Sequence, residues 1–366
     1  MRRDKNIMSS QAITEDEAAL YDRQIRLWGL DAQKRMRASD VLVIGVNGLT
    51  GEVMKNIVLA GINSLTILDD AEVTEDHLSA MFVVSSDHLG KKVAEASLNA
   101  IRRLNPLVKV TADVSSVKDK DAEFFKQFHI VCMSSVDITL LTRVNDICRE
   151  HKVKFFCGSV FGFYGFMFSD LGTHEYAEEI KVSKSDTSNG PTAAKQRRLN
   201  SSNSKPETET VTVKNTSHFE SFKSTLSVDW STLTPKQLKK TSHIYFITRS
   251  LLEFSTKSGH KPKMGDIDKL LAQCTETMTN LKLDPSLLLD KFTPSMACTP
   301  EMSPVCAVIG GVLGQEILKA VSQKDAPHNN YFLFNPENNA GIVETIHSKA
   351  FLPPAKKSTV VEELIL

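Results

Sequence analysis

The hydrophobic positions change rhythm along the chain, and each change marks an element. Val41–Ile44 is a short, β-branched apolar run, as in a strand buried on both faces. Beyond it, Val53, Ile57, Val58 and Gly61 fall near one face of a helix, and Leu65–Leu68 is a second apolar run ending in Asp69 and Asp70. The pattern lapses over 71–90. It returns as a helix over 91–104, stopped by Asn105-Pro106, and a strand at Val108–Val110. A short helix around Phe124–Phe128 and a strand at Ile130–Met133 follow. Next come a helix over Ile138–His151, with Leu140, Leu141, Val144 and Ile147 at helical spacing, and a strand at Lys154–Gly158. Strands alternating with helices predict a Rossmann-like α/β fold, a doubly wound and mostly parallel sheet with right-handed crossovers. The aromatic, glycine-rich stretch 161–171 is expected to turn the chain antiparallel at one edge.

The flanking segments divide the chain further. Residues 1–12 read as a disordered tail, and 13–177 as the nucleotide-type domain. Thr14 and Glu17 form a capping-box pair at its first helix, and Asp31–Arg37 is a basic helix before the first strand. Residues 178–226 are rich in Ser, Thr, Lys and Asn and predict a mobile polar insertion. Helical patterns return over 227–298 as a small helical subdomain. The last piece of the fold, 299–347, holds the loop Thr299–Pro304, the apolar helix Val305–Val321 and a closing hairpin of Tyr331–Phe334 with Gly341–Thr345. Gly310, Gly311 and Gly314 cost that helix about 1 kcal/mol each against Ala, so close packing on a neighbouring backbone is expected in return. A loose tail, 348–366, ends the chain.

Composition removes several function classes. Of 366 residues 41% are hydrophobic, enough for a sizeable core; Lys+Arg and Asp+Glu are both 44, so nothing global points to nucleic acid or an anionic membrane. There is no run of about 18 apolar residues, so no membrane span is expected, and the polar N-terminus lacks an apolar signal core. The six cysteines (132, 148, 157, 274, 298, 306) are scattered without any C-x-x-C. Neither a zinc site nor a disulfide framework is expected, and a reducing compartment is. Lys195-Gln196-Arg197-Arg198 is either a solvated charge cluster or a short nuclear-import signal. The second reading gives a nuclear as well as cytoplasmic location.

Two stretches carry candidate chemistry. Gly45, Gly48 and Gly51, spaced G-x-N-G-x-x-G between the first strand and its helix, suit a phosphate cradled on helix N-terminal N–H groups. Asp69, about 20 residues on, is placed to take ribose hydroxyls. The second stretch is Tyr21-Asp22-Arg23-Gln24-Ile25-Arg26-Leu27-Trp28-Gly29, unusually dense in aromatic and basic residues just before a nucleotide-type strand.

The order of these pieces resembles the enzymes that activate ubiquitin-like proteins and the bacterial adenylating enzymes of the same fold. The resemblance rests on Tyr21–Gly29, the glycine turn, Thr299–Pro304 and the glycine-rich helix with Gln315-Glu316, and it covers roughly residues 15–347. In length the chain resembles the smaller, non-catalytic half of the SUMO-activating pair. The resemblance implies a heterodimer with a catalytic subunit that binds ATP and Mg²⁺, adenylates the C-terminus of SUMO and takes it onto its own cysteine; a SUMO-conjugating enzyme follows downstream. Three departures place this chain with the degenerate halves. Asp76–Met81 lacks the Asn-x-x-Arg element whose arginine meets phosphates; the expected lysine falls at Val93, with Lys91 and Lys92 out of register; and no cysteine lies in a catalytic motif. No cofactor or metal is therefore expected in this chain. Gly45, Gly48, Gly51 and Asp69 become vestiges, and Asp137, a loose match to a metal-binding acid, counts as surface or structural. One family role carries over: Arg23 is donated across the dimer to the partner's ATP, with Arg26 the weaker candidate. The alternatives are a non-catalytic scaffold, a NAD-dependent oxidoreductase or a self-sufficient homodimeric adenylating enzyme. The glycine turn permits the oxidoreductase, but no catalytic His or Tyr-Lys pattern supports it.

Overall fold

A computed structural model describes residues 13–183, 208–238, 241–348 and 359–361. The expected N-terminal tail, Lys195–Arg198 and most of the C-terminal tail lie outside them.

Three short helices open the chain: α1 (Glu15–Leu20), α2 (Asp22–Trp28) and α3 (Leu30–Arg37). The expected capping box forms at Thr14 and Glu17. Gly29, at φ +84°, breaks α2 from α3, a backbone geometry that favours glycine. Then follow β1 (Asp40–Ile44), α4 (Gly48–Leu59), β2 (Ser64–Leu68), α5 (Glu75–Ala80), α6 (Val93–Arg102), β3 (Lys109–Asp113), α7 (Ala122–Phe125), β4 (Ile130–Met133), α8 (Ile138–Glu150), β5 (Lys154–Phe161) and β6 (Tyr164–Asp170). β7 (Thr173–Ser183) and β8 (Thr208–His218) come next, then α9 (Phe222–Leu226), α10 (Pro235–Leu238), α11 (His243–Ser258), α12 (Ile267–Asn280), α13 (Ser286–Leu289), α14 (Pro294–Ala297) and α15 (Ser303–Ser322). β9 (Tyr331–Asn335), β10 (Ala340–Glu344) and β11 (Thr359–Val361) complete the chain.

Eight strands form the central sheet in the order β10-β9-β6-β5-β4-β1-β2-β3. β3, β2, β1, β4 and β5 are parallel, and β6, β9 and β10 are antiparallel. The antiparallel turn expected over 161–171 is β5 into β6, and the closing hairpin pairs outside it. Alternation along β1 splits the core. Val41 and Val43 join the layer under α4, α6 and α15, while Leu42 and Ile44 join the layer under α8, α11 and α12. The helical segment thus covers the second face of the sheet. Each fully buried Val, Leu or Ile contributes about 1.5–3 kcal/mol, so both layers are needed to hold the sheet.

α15 packs on α4 at close range. A Cβ on Gly310 would stand 2.5 Å from Glu52 Cβ and 2.9 Å from the Leu49 carbonyl; one on Gly314 would meet Asn56 Cβ at 2.9 Å. Gly311 has nothing within 4 Å, so the packing expectation holds for two glycines of the three. α15 is long and apolar enough to cross a membrane by length and composition, although it is not a continuous apolar run; here it is a core helix, with 61% of its apolar window buried.

The polar insertion is corrected at both ends. β7 and β8 pair antiparallel from Thr173–His218 out to Ser183–Thr208, with β11 beside β8. Period-two alternation such as Val211 and Val213 builds a ribbon that the polar average of the stretch conceals.

Candidate functional site

β1 is where the strand order reverses, with β2 on one side and β4 on the other. The glycine turn leaves it there, at the position where open α/β sheets bind ligands. Gly45 sits at φ +80°, and a Cβ on it would stand 2.3 Å from the Ser134 carbonyl of the neighbouring strand end. A Cβ on Gly48 would meet Cys306 Sγ at 2.8 Å and Ala80 Cβ at 2.9 Å. These two glycines are demanded by the chain's own atoms. Gly51 has only ordinary contacts, from 3.7 Å outward.

The acids near the turn also face inward. Asp69 accepts the Val46 N–H at 2.6 Å through Oδ2 and the Ala71 N–H at 2.8 Å through Oδ1. Burial raises its carboxyl above the ordinary value, against the lowering by those two N–H groups. Asn47 caps α4 by accepting the Thr50 N–H at 3.1 Å, and its amide donates to Ser134 Oγ at 2.7 Å. A cavity of about 650 Å³ lies over the turn, walled by α5 and by loops around Val160–Gly162, His260–Met264 and Ala297–Glu301.

Two residues that sequence reasoning did not select as site residues line this cavity and pair with each other. Glu301, from the loop before α15, accepts the Gly48 N–H at 3.1 Å. Its other oxygen pairs with Lys261 Nζ at 2.5 Å. Lys261 also donates to the Val160 carbonyl at 2.8 Å and lies 5.6 Å from the centre of the Phe161 ring. They come from loops 40 residues apart: Glu301 lies in the Thr299–Pro304 loop that carries part of the family resemblance, and Lys261 in the basic tract His260-Lys261-Pro262-Lys263.

The remaining expected positions lie as follows. Asp76 and His77 line the cavity on α5, an acid and an imidazole where an arginine would be needed. Val93 is buried in the core, Lys92 donates to the Asp70 carbonyl at 2.7 Å, and neither they nor Lys91 line the cavity. Asp137 is the N-cap of α8, accepting from Thr139 and Leu140. Among the described residues no group of three His, Cys, Asp or Glu could hold a metal ion. At this cradle a carboxylate already accepts from the helix N-terminus, and Gly45 and Gly48 are crowded by the chain's own atoms. All six cysteines are free and buried; burial pushes the thiols of Cys132, Cys274 and Cys306 up to about 12.

The Tyr21–Gly29 stretch is built the opposite way. Tyr21 is buried against Gly61, where a Cβ would fall 2.5 Å from the ring, and its hydroxyl accepts from Asn105 Nδ2 at 2.8 Å. Gln24 donates to the Leu59 carbonyl at 3.4 Å, and Gln33 on α3 to that of Ala60 at 3.1 Å. Together they fix α2 against the end of α4. Arg26 is exposed and tied to Asp22 at 3.0 Å. Arg23 is exposed and makes no hydrogen bond or ion pair with any described residue. Leu20 and Leu27, which flank it, and Leu30 and Leu59 nearby are exposed large apolar side chains.

Comparison with known proteins gives the family. The ThiF family model matches residues 21–353. SUMO-activating enzyme subunit 1 of Xenopus laevis is 46% identical over 345 residues, covering 92% of this chain and 98% of the relative. The human protein of that name is 43% identical, over 92% and 97%, and that of Danio rerio 44%, over 92% and 97%. Among solved structures, the crystal structure of E. coli MccB with succinimide has a TM-score of 0.51 at 10% identity, covering 90% of this chain and 72% of that one, a likeness of fold alone. The chain therefore belongs to the ThiF family, among the SUMO-activating enzyme subunit 1 proteins.

Proposed function

We propose that this chain is the regulatory subunit of a heterodimeric SUMO-activating enzyme, and that it supplies Arg23 to ATP held by the catalytic subunit. The observation that carries the reading is the state of Arg23: an exposed guanidinium with no described partner, on a helix pinned by Tyr21 and Gln24. Arginine is suited to this task because its planar, permanently charged fork matches phosphate oxygens. Aimed at the partner's ATP, it neutralises charge that develops as the SUMO carboxylate attacks the α-phosphate. The exposed leucines around it form an apolar collar that a partner subunit would cover. ATP, Mg²⁺ and the acyl-accepting cysteine belong to that partner in this reading.

Reconstitution tests it. Arg23→Ala should still co-purify with the catalytic subunit and SUMO-dependent ATP–pyrophosphate exchange should slow. Unchanged exchange would leave this chain a scaffold. Nuclear as well as cytoplasmic residence belongs to the same proposal, through Lys195–Arg198. A fluorescent fusion with all three basic residues of that tract changed to Ala should lose nuclear enrichment.

A further inference from the structure

We propose that Glu301 is a built-in replacement for a nucleotide phosphate, and that its carboxylate closes this chain's own cavity to phosphoanhydride ligands. The backbone N–H groups around the start of α4 are those that a phosphate would meet at such a turn. Here four of them already have acceptors from the chain. Val46 N–H goes to Asp69, Asn47 N–H to Thr50 Oγ1 at 2.9 Å, Gly48 N–H to Glu301, and Thr50 N–H to Asn47 Oδ1. Two of these acceptors are local features of the turn, and the third, Asp69, comes from just beyond β2, 23 residues on. The fourth reaches in from 253 residues away and brings a full negative charge to the positive end of a 12-residue helix.

The ion pair that fixes Glu301 also removes the nearest lysine. Lys261 is held by the Glu301 carboxylate, the Val160 carbonyl and the Phe161 ring, so its charge is already matched. The Glu301 side chain is 15% exposed, and water screens the pair little. A triphosphate entering the cavity would face Glu301 at the cradle and Asp69 and Asp76 on the same wall, a like-charge juxtaposition. The fold has kept the dipole of a nucleotide site and satisfied it from within.

The inference is independent of the role given to Arg23, and its test uses the full chain without any partner. Calorimetric titration with ATP, and separately with inorganic tripolyphosphate, should show no saturable binding to the wild-type chain below about 1 mM, the weak end of the affinity scale. Glu301→Ala should bind both probes about 10–100-fold more tightly. Glu301→Gln keeps an acceptor for the Gly48 N–H but loses the charge, and should gain part of that. Lys261→Met leaves the carboxylate in place and should gain nothing. Wild-type binding as tight as that of Glu301→Ala would overturn the proposal. So would a folded Glu301→Ala chain that binds neither probe; if that variant does not fold, a folded Glu301→Gln chain without any gain overturns it equally. Arg23→Ala should leave every one of these titrations unchanged.

Discussion

The glycine turn and the helix of Arg23 stand at opposite ends of α4, and they spend their polar groups in opposite ways. At the N-terminal end, donors and acceptors meet one another: Asp69 on Val46 and Ala71, Glu301 on Gly48 and Lys261. At the C-terminal end, Tyr21, Gln24 and Gln33 make the inward contacts, and Arg23 is left facing solvent. A side chain available for chemistry on another molecule is one that its own chain has not satisfied. By that criterion the phosphate-type turn is satisfied within the chain, and Arg23 is the side chain left available for the role proposed for it.

The largest expected break in this contrast is Arg23→Ala. Losing one charged group aimed at a developing phosphate charge should slow exchange by about 10²–10³-fold. Arg26→Ala, which removes only an exposed pair with Asp22, should change the rate by no more than about threefold. Next in size is the packing that holds the closed end shut. Gly310→Ala drives a methyl into Glu52 and the Leu49 carbonyl and should cost about 1–3 kcal/mol in urea unfolding. Gly311→Ala, with open space around it, should stabilise the chain by up to about 1 kcal/mol. Tyr21→Phe removes the acceptor for Asn105 and should cost about 1 kcal/mol, with a smaller loss of exchange rate than Arg23→Ala.

The smallest effect is on acid stability. His174, on β7, is buried beside the Lys154 charge. Burial first and that charge second lower its pKa from 6.5 to about 3. The unfolded chain therefore takes up this proton before the folded one. Stability from this group is complete above pH 6.5 and falls as the pH drops from 6.5 towards 3. His174→Phe should remove that slope and move the acid-unfolding midpoint down by about half a pH unit.

Much of this was legible in the residues. Val41–Leu68 reads directly as strand, turn, helix and strand because apolar period and glycine spacing are local signals. Arg23 was singled out by the family resemblance of the Tyr21–Gly29 stretch, and its exposure agrees with the part proposed for it. Glu301 and Lys261 were not, because each is an ordinary charged loop residue until the fold brings the two loops over Gly48. The β7–β8 ribbon was missed for a different reason: composition was averaged over a stretch in which every second residue mattered.

The six buried thiols have a practical consequence for any two-subunit enzyme built on this chain. A thiol held under the surface with its proton retained at neutral pH is a poor nucleophile towards maleimides or iodoacetamide. Alkylation of the native assembly should therefore leave this chain's mass unchanged. Every adduct found would report the other subunit, so the reactive thiols there can be counted without first mutating anything here.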